Sequence, residues 1–210
     1  MSDKEKLNVD AAYALKTPED SKKLYRDWAE SYDESFAAAM DFLMPEHVAR
    51  LFVEQQGAGP VLDVGAGTGL VAAALLKRGA PVVDGLDISP EMLQVAVSKG
   101  LYRKTIVADL TKKLPVPDAT YHGITSSGTF THGHVGPEAL DELLRVAAPG
   151  ALFVLTVKNE HYVERGFDRK FDGLAEHIQD FATVSLPIYG AGADPDHARD
   201  IGLIVSFRRL

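Results

Sequence analysis

The sequence of 210 residues contains no cysteine. It therefore cannot form disulfide bonds, thiolate metal sites or a cysteine nucleophile. It also lacks any run of about 18 uninterrupted apolar residues that could cross a membrane. The charged N-terminus, MSDKEKLNVD, has no apolar signal-peptide core. These absences predict a cytoplasmic protein that has no membrane association.

Positive charge is also in short supply. Lys and Arg number 22 against 30 Asp and Glu, which gives a formal net charge of -8. Such a balance repels a phosphate backbone and disfavours nucleic acid as a partner. The hydrophobic share of 46% is that of an ordinary globular protein. We predict one globular unit, in which residues 1–57 form a helical cap on a core of residues 58–210.

From residue 60 onward, short apolar runs alternate with helical patterns. They predict strands at 60–64, 82–88, 104–110, 121–126 and 151–157, with helices between them that include 69–78, 90–99 and 137–147. After a weak helical pattern at 167–178, the runs 181–189 and 200–210 follow too closely for another crossover, which predicts an antiparallel pair. The predicted fold is α/β, a doubly wound Rossmann-like, mostly parallel seven-stranded sheet with one antiparallel strand near the edge.

Two helices are predicted ahead of the first strand. Thr17 marks the start of the first helix, and the second begins at Pro45. Within the first helix, Tyr25, Trp28 and Tyr32 fall on one face. An aromatic stripe of this kind serves either the core or a cover over a ligand, and the sequence leaves both open.

The segment VLDVGAGTGL, residues 61–70, forms the first predicted turn from strand to helix. In an open α/β sheet the ligand binds beyond the carboxyl ends of the strands, where this turn lies. Its three alternate glycines suit a close approach of ligand to backbone, although tight packing alone would also use them. Leu70 stands where a dinucleotide fingerprint has its last glycine, and no P-loop motif is present, so neither pyrophosphate motif is complete.

Two acidic residues end the next two predicted strands. Asp87 is placed to accept hydrogen bonds from both ribose hydroxyls of a nucleoside. Asp109 ends the third strand, although it could instead cap a turn. Because the strands are parallel, both acids and the glycine-rich turn should converge on one edge of the sheet. An adenosine-type ligand without a pyrophosphate fits this set.

These residues resemble a known family. The segments DVGAGTG at 63–69, LDISPEML at 86–93, ADL at 108–110 and LPVPD at 114–118, with YRDWAESYD at 25–33, look like the ordered motifs of class I S-adenosylmethionine-dependent methyltransferases. LVAAALL at 70–76 and the S-G-x-x-x-x-G-H pattern at 127–134 are similar to the methyltransferase-like branch named after the Williams-Beuren syndrome region. The pair Tyr121-His122 and the triplet at 149–151 depart from the usual residues, which bears on the subfamily and hence on the substrate.

The resemblance implies S-adenosylmethionine as the cofactor and S-adenosylhomocysteine as its product. It also implies a role for each matched residue. The residues that would contact the methionine portion are Asp63, Gly65, Ala66, Gly67, Ser126 and Ser127. Asp87 would hold the ribose, and the adenine would meet Ile88, Met92, Asp109 and Leu110. Tyr25, Trp28 and Tyr32 would fold over the cofactor.

The expected reaction is methyl transfer by in-line displacement to an oxygen or nitrogen of a small molecule, with a protein acceptor as the second choice. The missing cysteine excludes covalent pyrimidine C5 methylation. His132 or His134 could act as general base, or both could be solvated loop residues. Two histidines alone rarely hold a metal, and none is predicted. Arg165, Arg169, Lys170 and Tyr189 could admit an anionic group on the acceptor side, or the charges could be a solvated face.

Two other functions share the same motifs. A non-catalytic protein that binds S-adenosyl nucleosides would keep the cofactor residues and lose the reaction. A nicotinamide-dependent oxidoreductase would use the same fold but should show the missing glycine at position 70. The sequence does not determine the oligomeric state.

Overall fold

The computed structural model describes residues 23–26, 28–29, 31–38, 40–80, 82–130, 135–193, 197 and 199–210. These residues build a seven-stranded sheet with the order β3-β2-β1-β4-β5-β7-β6. The strands are β1 (Val61–Val64), β2 (Val83–Asp87), β3 (Thr105–Val107), β4 (Tyr121–Phe130), β5 (Ala147–Lys158), β6 (Ile178–Pro187) and β7 (Ile201–Arg209).

The helices lie between the strands as the alternating pattern predicts. They are α1 (Met44–Glu54), α2 (Leu70–Lys77), α3 (Pro90–Ser98), α4 (Ala139–Val146), α5 (Asn159–Glu164) and α6 (Phe167–Gly173), and a π-helical turn at Asp33–Ala38 precedes α1. Ser89 caps α3, because its hydroxyl accepts a hydrogen bond from the N–H of Met92 at 3.2 Å and Pro90 takes the first helical position. Among the described residues, no helix is long and apolar enough to span a membrane.

The strand pairings confirm the predicted fold class. β1 pairs in parallel with both β2 and β4, so the chain changes direction across the sheet between β1 and β4. β7 runs antiparallel to both β5 and β6 and lies next to the edge strand β6. A crevice at the carboxyl ends of β1 and β4 is the switch point at which open α/β sheets bind their ligands.

Alternate residues of the buried strands supply two hydrophobic clusters, one on each face of the sheet. Leu62 and Phe153 belong to the cluster beneath α4 and α6. Their neighbours Val61 and Val154 belong to the opposite cluster. This second cluster also contains Trp28, Val48 and Phe52, so the described part of segment 1–57 shares its core with β1 and α2.

Several predicted boundaries are wrong. The third strand was expected to run to residue 110, but β3 ends at Val107, so Asp109 lies in the turn after it. β4 continues past residue 126 to Phe130, and β5 begins at Ala147 rather than 151. Gly128 and Gly150 adopt left-handed conformations near shifts in the register of the β4–β5 pair, so the two strands continue through local irregularities. The helix expected at 167–178 ends at Gly173, and Ile178 already pairs in β6.

A buried carboxylate links β2 to its neighbours at the amino end of the sheet. Asp84 is fully buried, accepts two hydrogen bonds from Arg103 at 2.9 and 2.6 Å, and accepts one from the hydroxyl of Tyr121 at 2.8 Å. Burial alone would raise the pKa of Asp84, but the hydrogen bonds and positive charges of Arg103 and Lys104 lower it overall. The sheet therefore holds an ionised side chain at the end opposite the crevice.

We expect Tyr121→Phe to lower the free energy of unfolding by about 1.5–3 kcal/mol, because it removes one hydrogen bond to a buried charge. Urea unfolding at pH 7 measures the loss. The same substitution in an Asp84→Asn background should cost clearly less, because the acceptor is then neutral. An equal loss in both backgrounds would show that the hydroxyl acts independently of Asp84.

Candidate functional site

The turn after β1 presents bare backbone to a cavity. Gly65 has φ of 65° and Gly67 has φ of 51°, both in the left-handed region that favours glycine. A Cβ atom at Gly65 would overlap Oγ1 of Thr129, and one at Gly67 would lie 3.7 Å from Cε of Met92. Gly65, Ala66 and Gly67 all line the cavity. The turn therefore needs glycine both for its conformation and for the close approach of β4.

Asp87 joins this turn to the start of α3. Its two carboxylate oxygens accept hydrogen bonds from the N–H groups of Gly67 and Ser89, both at 2.8 Å. Burial raises the pKa of Asp87, and the backbone hydrogen bonds compensate only in part. A carboxylate oxygen can accept more than one hydrogen bond. Since Asp87 lines the cavity, two hydroxyl groups of a ligand could donate to it.

Asp63 does not lie where direct contact with the methionine portion of a cofactor would require it. It is 1% exposed, and its carboxylate accepts hydrogen bonds from the hydroxyls of Tyr102 at 2.7 Å and Thr125 at 3.1 Å. It lies behind the turn and does not line the cavity. Burial raises the pKa of Asp63 to about 7, against the hydrogen bonds of Tyr102 and Thr125. Any effect of Asp63 on a ligand passes through the turn in front of it.

Tyr102 is a residue that the sequence analysis missed. Besides Asp63, its hydroxyl reaches the carbonyl oxygen of Ala66 at 3.4 Å. Its ring lies against Gly85, where a Cβ atom would come within 2.9 Å of the ring. The glycine in β2 was the available signal, because a glycine inside a strand often marks a close approach. Tyr102 thus supports the glycine-rich turn from behind.

Asp109 caps a turn and also lines the cavity. One of its carboxylate oxygens accepts hydrogen bonds from the N–H and hydroxyl of Thr111 at 2.9 and 2.7 Å. Burial alone would raise the pKa of Asp109, but Thr111 and the charge of Lys112 lower it overall. The turn-capping reading of Asp109 is confirmed, and the capped turn places Asp109 and Leu110 on the cavity wall. Its contact with a cofactor stays a prediction.

Three aromatic side chains close the cavity from the N-terminal segment. The rings of Tyr25 and Trp28 stack with centroids 6.4 Å apart, and Tyr32 meets Trp28 edge-on at 5.1 Å. All three line the cavity, and Trp28 is only 1% exposed. Burial, with the negative charge of Asp87, raises the pKa of the Tyr25 hydroxyl. The aromatic stripe thus belongs both to the core and to the cover of the cavity.

A polar contact holds this cover on the glycine-rich turn. Asp33, which begins the π-helical turn after Tyr32, accepts a hydrogen bond of 2.5 Å from the hydroxyl of Thr68 and pairs with Lys99. Lys99 also donates to the carbonyl oxygen of Thr68 at 2.8 Å. The three side chains connect the N-terminal segment, the turn after β1 and the end of α3.

The structure brings most of the predicted cofactor residues to one cavity. Those that line it are Tyr25, Trp28, Tyr32, Gly65, Ala66, Gly67, Asp87, Ile88, Met92, Asp109, Leu110 and Ser127. Asp63 and Ser126 do not. The Ser126 hydroxyl is buried and donates at 2.8 Å to the carbonyl oxygen of Val64, inside the sheet. His132 and His134 lie outside the described residues, so their assignment stays a prediction.

The cavity has two halves of different character. The strand-tip half is formed by the turns after β1, β2 and β3 at residues 65–68, 87–88 and 108–111. The apolar half is formed by Phe42, Met44, Pro45, Ile188, Tyr189 and Gly202, with the end of β5 at residues 156–158. Ser127, Gly128 and Thr129, where β4 bends, lie on the wall as well.

Two further expectations concern charged residues. Of the residues proposed for the acceptor side, Tyr189 lines the cavity, whereas Arg165, Arg169 and Lys170 do not. Lys170 pairs with Asp141 at 2.5 Å instead. Within the described part of the chain, no group of three His, Cys, Asp or Glu side chains is arranged to hold a metal ion.

Comparisons with known proteins agree with this geometry. Residues 62–155 match the family model described as a methyltransferase domain. The chain is 33% identical over 160 residues to methyltransferase-like protein 27 of Homo sapiens, covering 73% of this chain and 64% of the relative. It is 34% identical over 153 residues to demethylmenaquinone methyltransferase of Tropheryma whipplei strain Twist, covering 71% and 63%.

The chain is thus similar in sequence and fold to the class I S-adenosylmethionine-dependent methyltransferases. Among solved structures, a DhpI-SAH complex superposes with a TM-score of 0.66 at 20% identity, covering 91% of this chain and 96% of that one. At this identity the likeness concerns the methyltransferase fold alone. The chain spans less than two thirds of the length of the two curated relatives. Its placement in the branch named after the Williams-Beuren syndrome region stays a prediction.

We expect Gly65→Ala to abolish binding of S-adenosylhomocysteine, measured by calorimetry, while the protein still folds. The added Cβ meets Thr129 and needs a left-handed backbone, so the turn must move away from its present position. Gly79→Ala is the matched control, because Gly79 has φ of 70° but open space around its Cβ position. Unchanged affinity in Gly65→Ala, or equal loss in both variants, would contradict the assignment.

The raised pKa of Asp63 predicts a pH dependence of stability. Between its ordinary pKa of 3.8 and its folded value of about 7, the folded protein keeps a proton that the unfolded chain has lost. The free energy of unfolding contributed by Asp63 therefore falls as the pH rises from about 4 to about 7 and is level above that. Urea unfolding at several pH values measures the free energy of unfolding of wild type and of Asp63→Asn. The difference between the two proteins should change between about pH 4 and about pH 7 and stay constant above that.

The pKa of Asp87 is also raised, but Asp87 titrates in both proteins. The difference between wild type and Asp63→Asn therefore reports on Asp63. Parallel pH profiles for the two proteins would show that Asp63 has an ordinary pKa.

Proposed function

We propose that the protein binds S-adenosylmethionine and transfers its methyl group to an oxygen or nitrogen of a small molecule. One observation carries this proposal: the strand-tip half and the apolar half form a single cavity. A methyl donor and a methyl acceptor must meet within one enclosed space, because in-line transfer depends on their alignment. One half of the cavity is polar and is formed by hydrogen-bonded turns, and the other half is apolar. Such a cavity suits this pair of reactants.

The residues present fit the cofactor. The Oγ atom of Ser127 is buried at the cavity wall without a hydrogen-bond partner among the described residues. Such an orphaned hydroxyl suits the amino or carboxylate group of the methionine portion, because buried polar atoms normally find partners. The carboxylate of Asp87, which lines the cavity, suits the ribose hydroxyls as a charged acceptor. At Gly67 the space that a Cβ would fill is left to the ligand.

In this proposal each part of the chain has a separate task. Bound S-adenosylmethionine supplies an activated methyl group on a positively charged sulfur. The turn at Gly65 and Gly67 positions the methionine portion, Asp87 holds the ribose, and Asp109 with Leu110 meets the adenine edge. The aromatic cover of Tyr25, Trp28 and Tyr32 excludes water. Asp63 and Ser126 act from behind the wall, where they keep β1, β4 and the turn in register.

A small-molecule acceptor is supported by two observations. The curated relative named demethylmenaquinone methyltransferase acts, by its name, on a small molecule. The net charge of -8 also disfavours a nucleic acid. We retain His132 or His134 as the proposed general base for an acceptor that must lose a proton. If both His→Ala variants keep full turnover of an identified acceptor, this role is wrong.

Asp87→Asn should weaken binding of S-adenosylhomocysteine about ten- to hundredfold, because it replaces charge-assisted hydrogen bonds to the ribose with neutral ones. Calorimetry measures the affinity, and thermal unfolding of the ligand-free variant checks its fold. Asp180→Asn is the matched control. Asp180 is exposed on β6 with φ of 56°, a conformation that asparagine accepts.

A methylation assay that reports S-adenosylhomocysteine release from a panel of phenols, carboxylic acids and amines then tests turnover. Binding of the cofactor with no turnover on any acceptor would favour a non-catalytic nucleoside-binding protein. Binding of NADH in place of S-adenosylhomocysteine would favour an oxidoreductase, and an unaffected Asp87→Asn variant would contradict the proposed site.

A further inference from the structure

The side chain of Tyr102 reaches the back of the glycine-rich turn at several points. Tyr102 lies on the link between α3 and β3. Its hydroxyl donates to the carboxylate of Asp63 at 2.7 Å and lies 3.4 Å from the carbonyl oxygen of Ala66. A Cβ atom at Gly69, where the turn meets α2, would lie 3.6 Å from the aromatic ring of Tyr102. One side chain therefore lies against the beginning, the middle and the end of the turn.

Packing and burial define both the position and the protonation of this hydroxyl. A Cβ atom at Gly85 in β2 would come within 2.9 Å of the ring, so the ring lies directly on the strand. Burial first, and then the negative charge of Asp63 and the hydrogen bond to it, raise the pKa of the Tyr102 hydroxyl well above its usual range. The hydroxyl therefore keeps its proton and acts as a donor. Tyr102 does not line the cavity, so it can affect a ligand only through the turn.

Other hydrogen bonds tie the turn to β2. The N–H of Ala66 donates to the carbonyl oxygen of Leu86 at 2.9 Å, and the N–H of Gly67 donates to Asp87 at 2.8 Å. Tyr102 adds a contact of a different kind, because it connects the turn to the link before β3. Glycine gives a segment many alternative conformations. Each contact that fixes the turn beforehand therefore lowers the conformational entropy that is lost when a ligand binds.

We propose that Tyr102 is a positioning residue for the cofactor: its hydrogen bond to Asp63 holds the glycine-rich turn in the conformation that binds the methionine portion. This inference rests on the proposed methyltransferase function. Loss of the hydroxyl keeps the ring in place but releases the carboxylate of Asp63 behind the turn. The turn then populates other conformations, and the affinity for a ligand falls with the fraction of molecules that remain competent to bind it.

Calorimetric binding of S-adenosylhomocysteine to Tyr102→Phe at about pH 8 tests this inference. At this pH most of Asp63 is ionised, since its pKa is about 7. The affinity should fall about five- to twentyfold, because the variant loses a hydrogen bond to a charged group and part of that loss falls on the bound state.

Tyr121→Phe is the matched control. It also removes a hydroxyl that donates to a buried carboxylate, that of Asp84 at 2.8 Å, but at the end of the sheet opposite the cavity. Both variants should lose stability in thermal unfolding without ligand. Tyr121→Phe should nevertheless bind S-adenosylhomocysteine as tightly as the wild type, which separates positioning from a general loss of stability.

The partner of the hydroxyl is tested in an Asp63→Asn background. There Tyr102→Phe should weaken binding clearly less, because the charged acceptor is already gone. The sulfur of S-adenosylhomocysteine is neutral, so loss of the Asp63 charge has little direct effect on this ligand. A pH profile checks the same contact without any ligand. The Tyr102 hydrogen bond lowers the pKa of Asp63, so in Tyr102→Phe the contribution of Asp63 to stability should keep changing above pH 7.

Wild-type affinity in Tyr102→Phe would overturn the inference. So would an equal loss in Tyr121→Phe, or an undiminished loss in the Asp63→Asn background. If Tyr102→Phe does not fold, Asp63→Asn alone takes its place, because it weakens the same hydrogen bond, and unchanged affinity there would also overturn the inference. Failure of the wild type to bind S-adenosylhomocysteine would instead refute the proposed function, which keeps the two failures distinct.

Discussion

The carboxylate of Asp87 is the contact on which the geometry of the site depends. It accepts hydrogen bonds from the N–H groups of Gly67 and Ser89 at 2.8 Å each. These bonds fix the turn after β1 against the start of α3. These two segments follow the neighbouring parallel strands β1 and β2. The sheet sets the distance between them, and the carboxylate sets their relative position along the strand direction. Burial of the charge is costly, as its raised pKa shows. The carboxylate nevertheless remains on the cavity wall, where a ligand can reach it.

The sequence was sufficient wherever local signals and topology decide the outcome. Ser89 and Pro90 fix the start of α3 by capping alone. The alternation of strands and helices predicts parallel pairing, which brings Asp87 and Asp109 to one edge without knowledge of any contact between them. The short link between the last two strands predicts that β7 is antiparallel. Each of these inferences uses neighbours along the chain or a general rule of sheet topology.

What could not be predicted depends on contacts between distant segments. Tyr102 supports the turn through Asp63, a partner 39 positions earlier. The glycine in β2 indicates a close approach, but it does not identify the residue that makes it. Position in a motif also does not reveal which way a side chain points. Ser126 and Ser127 are adjacent on β4, so they face opposite sides of the strand. The hydroxyl of Ser126 is satisfied inside the sheet, and Ser127 is the one that lines the cavity.

The two carboxylates on the cavity wall, Asp87 and Asp109, bear on release as much as on binding. In the proposed reaction the methyl donor carries a positive charge on sulfur and S-adenosylhomocysteine does not, so these carboxylates attract the donor more strongly than the product. The charge on sulfur has already diminished in the transition state, so on their own the carboxylates would slow the chemical step. Alignment of the two reactants within the closed cavity must therefore provide the acceleration, which is why the aromatic cover and its contact through Asp33 matter to the reaction.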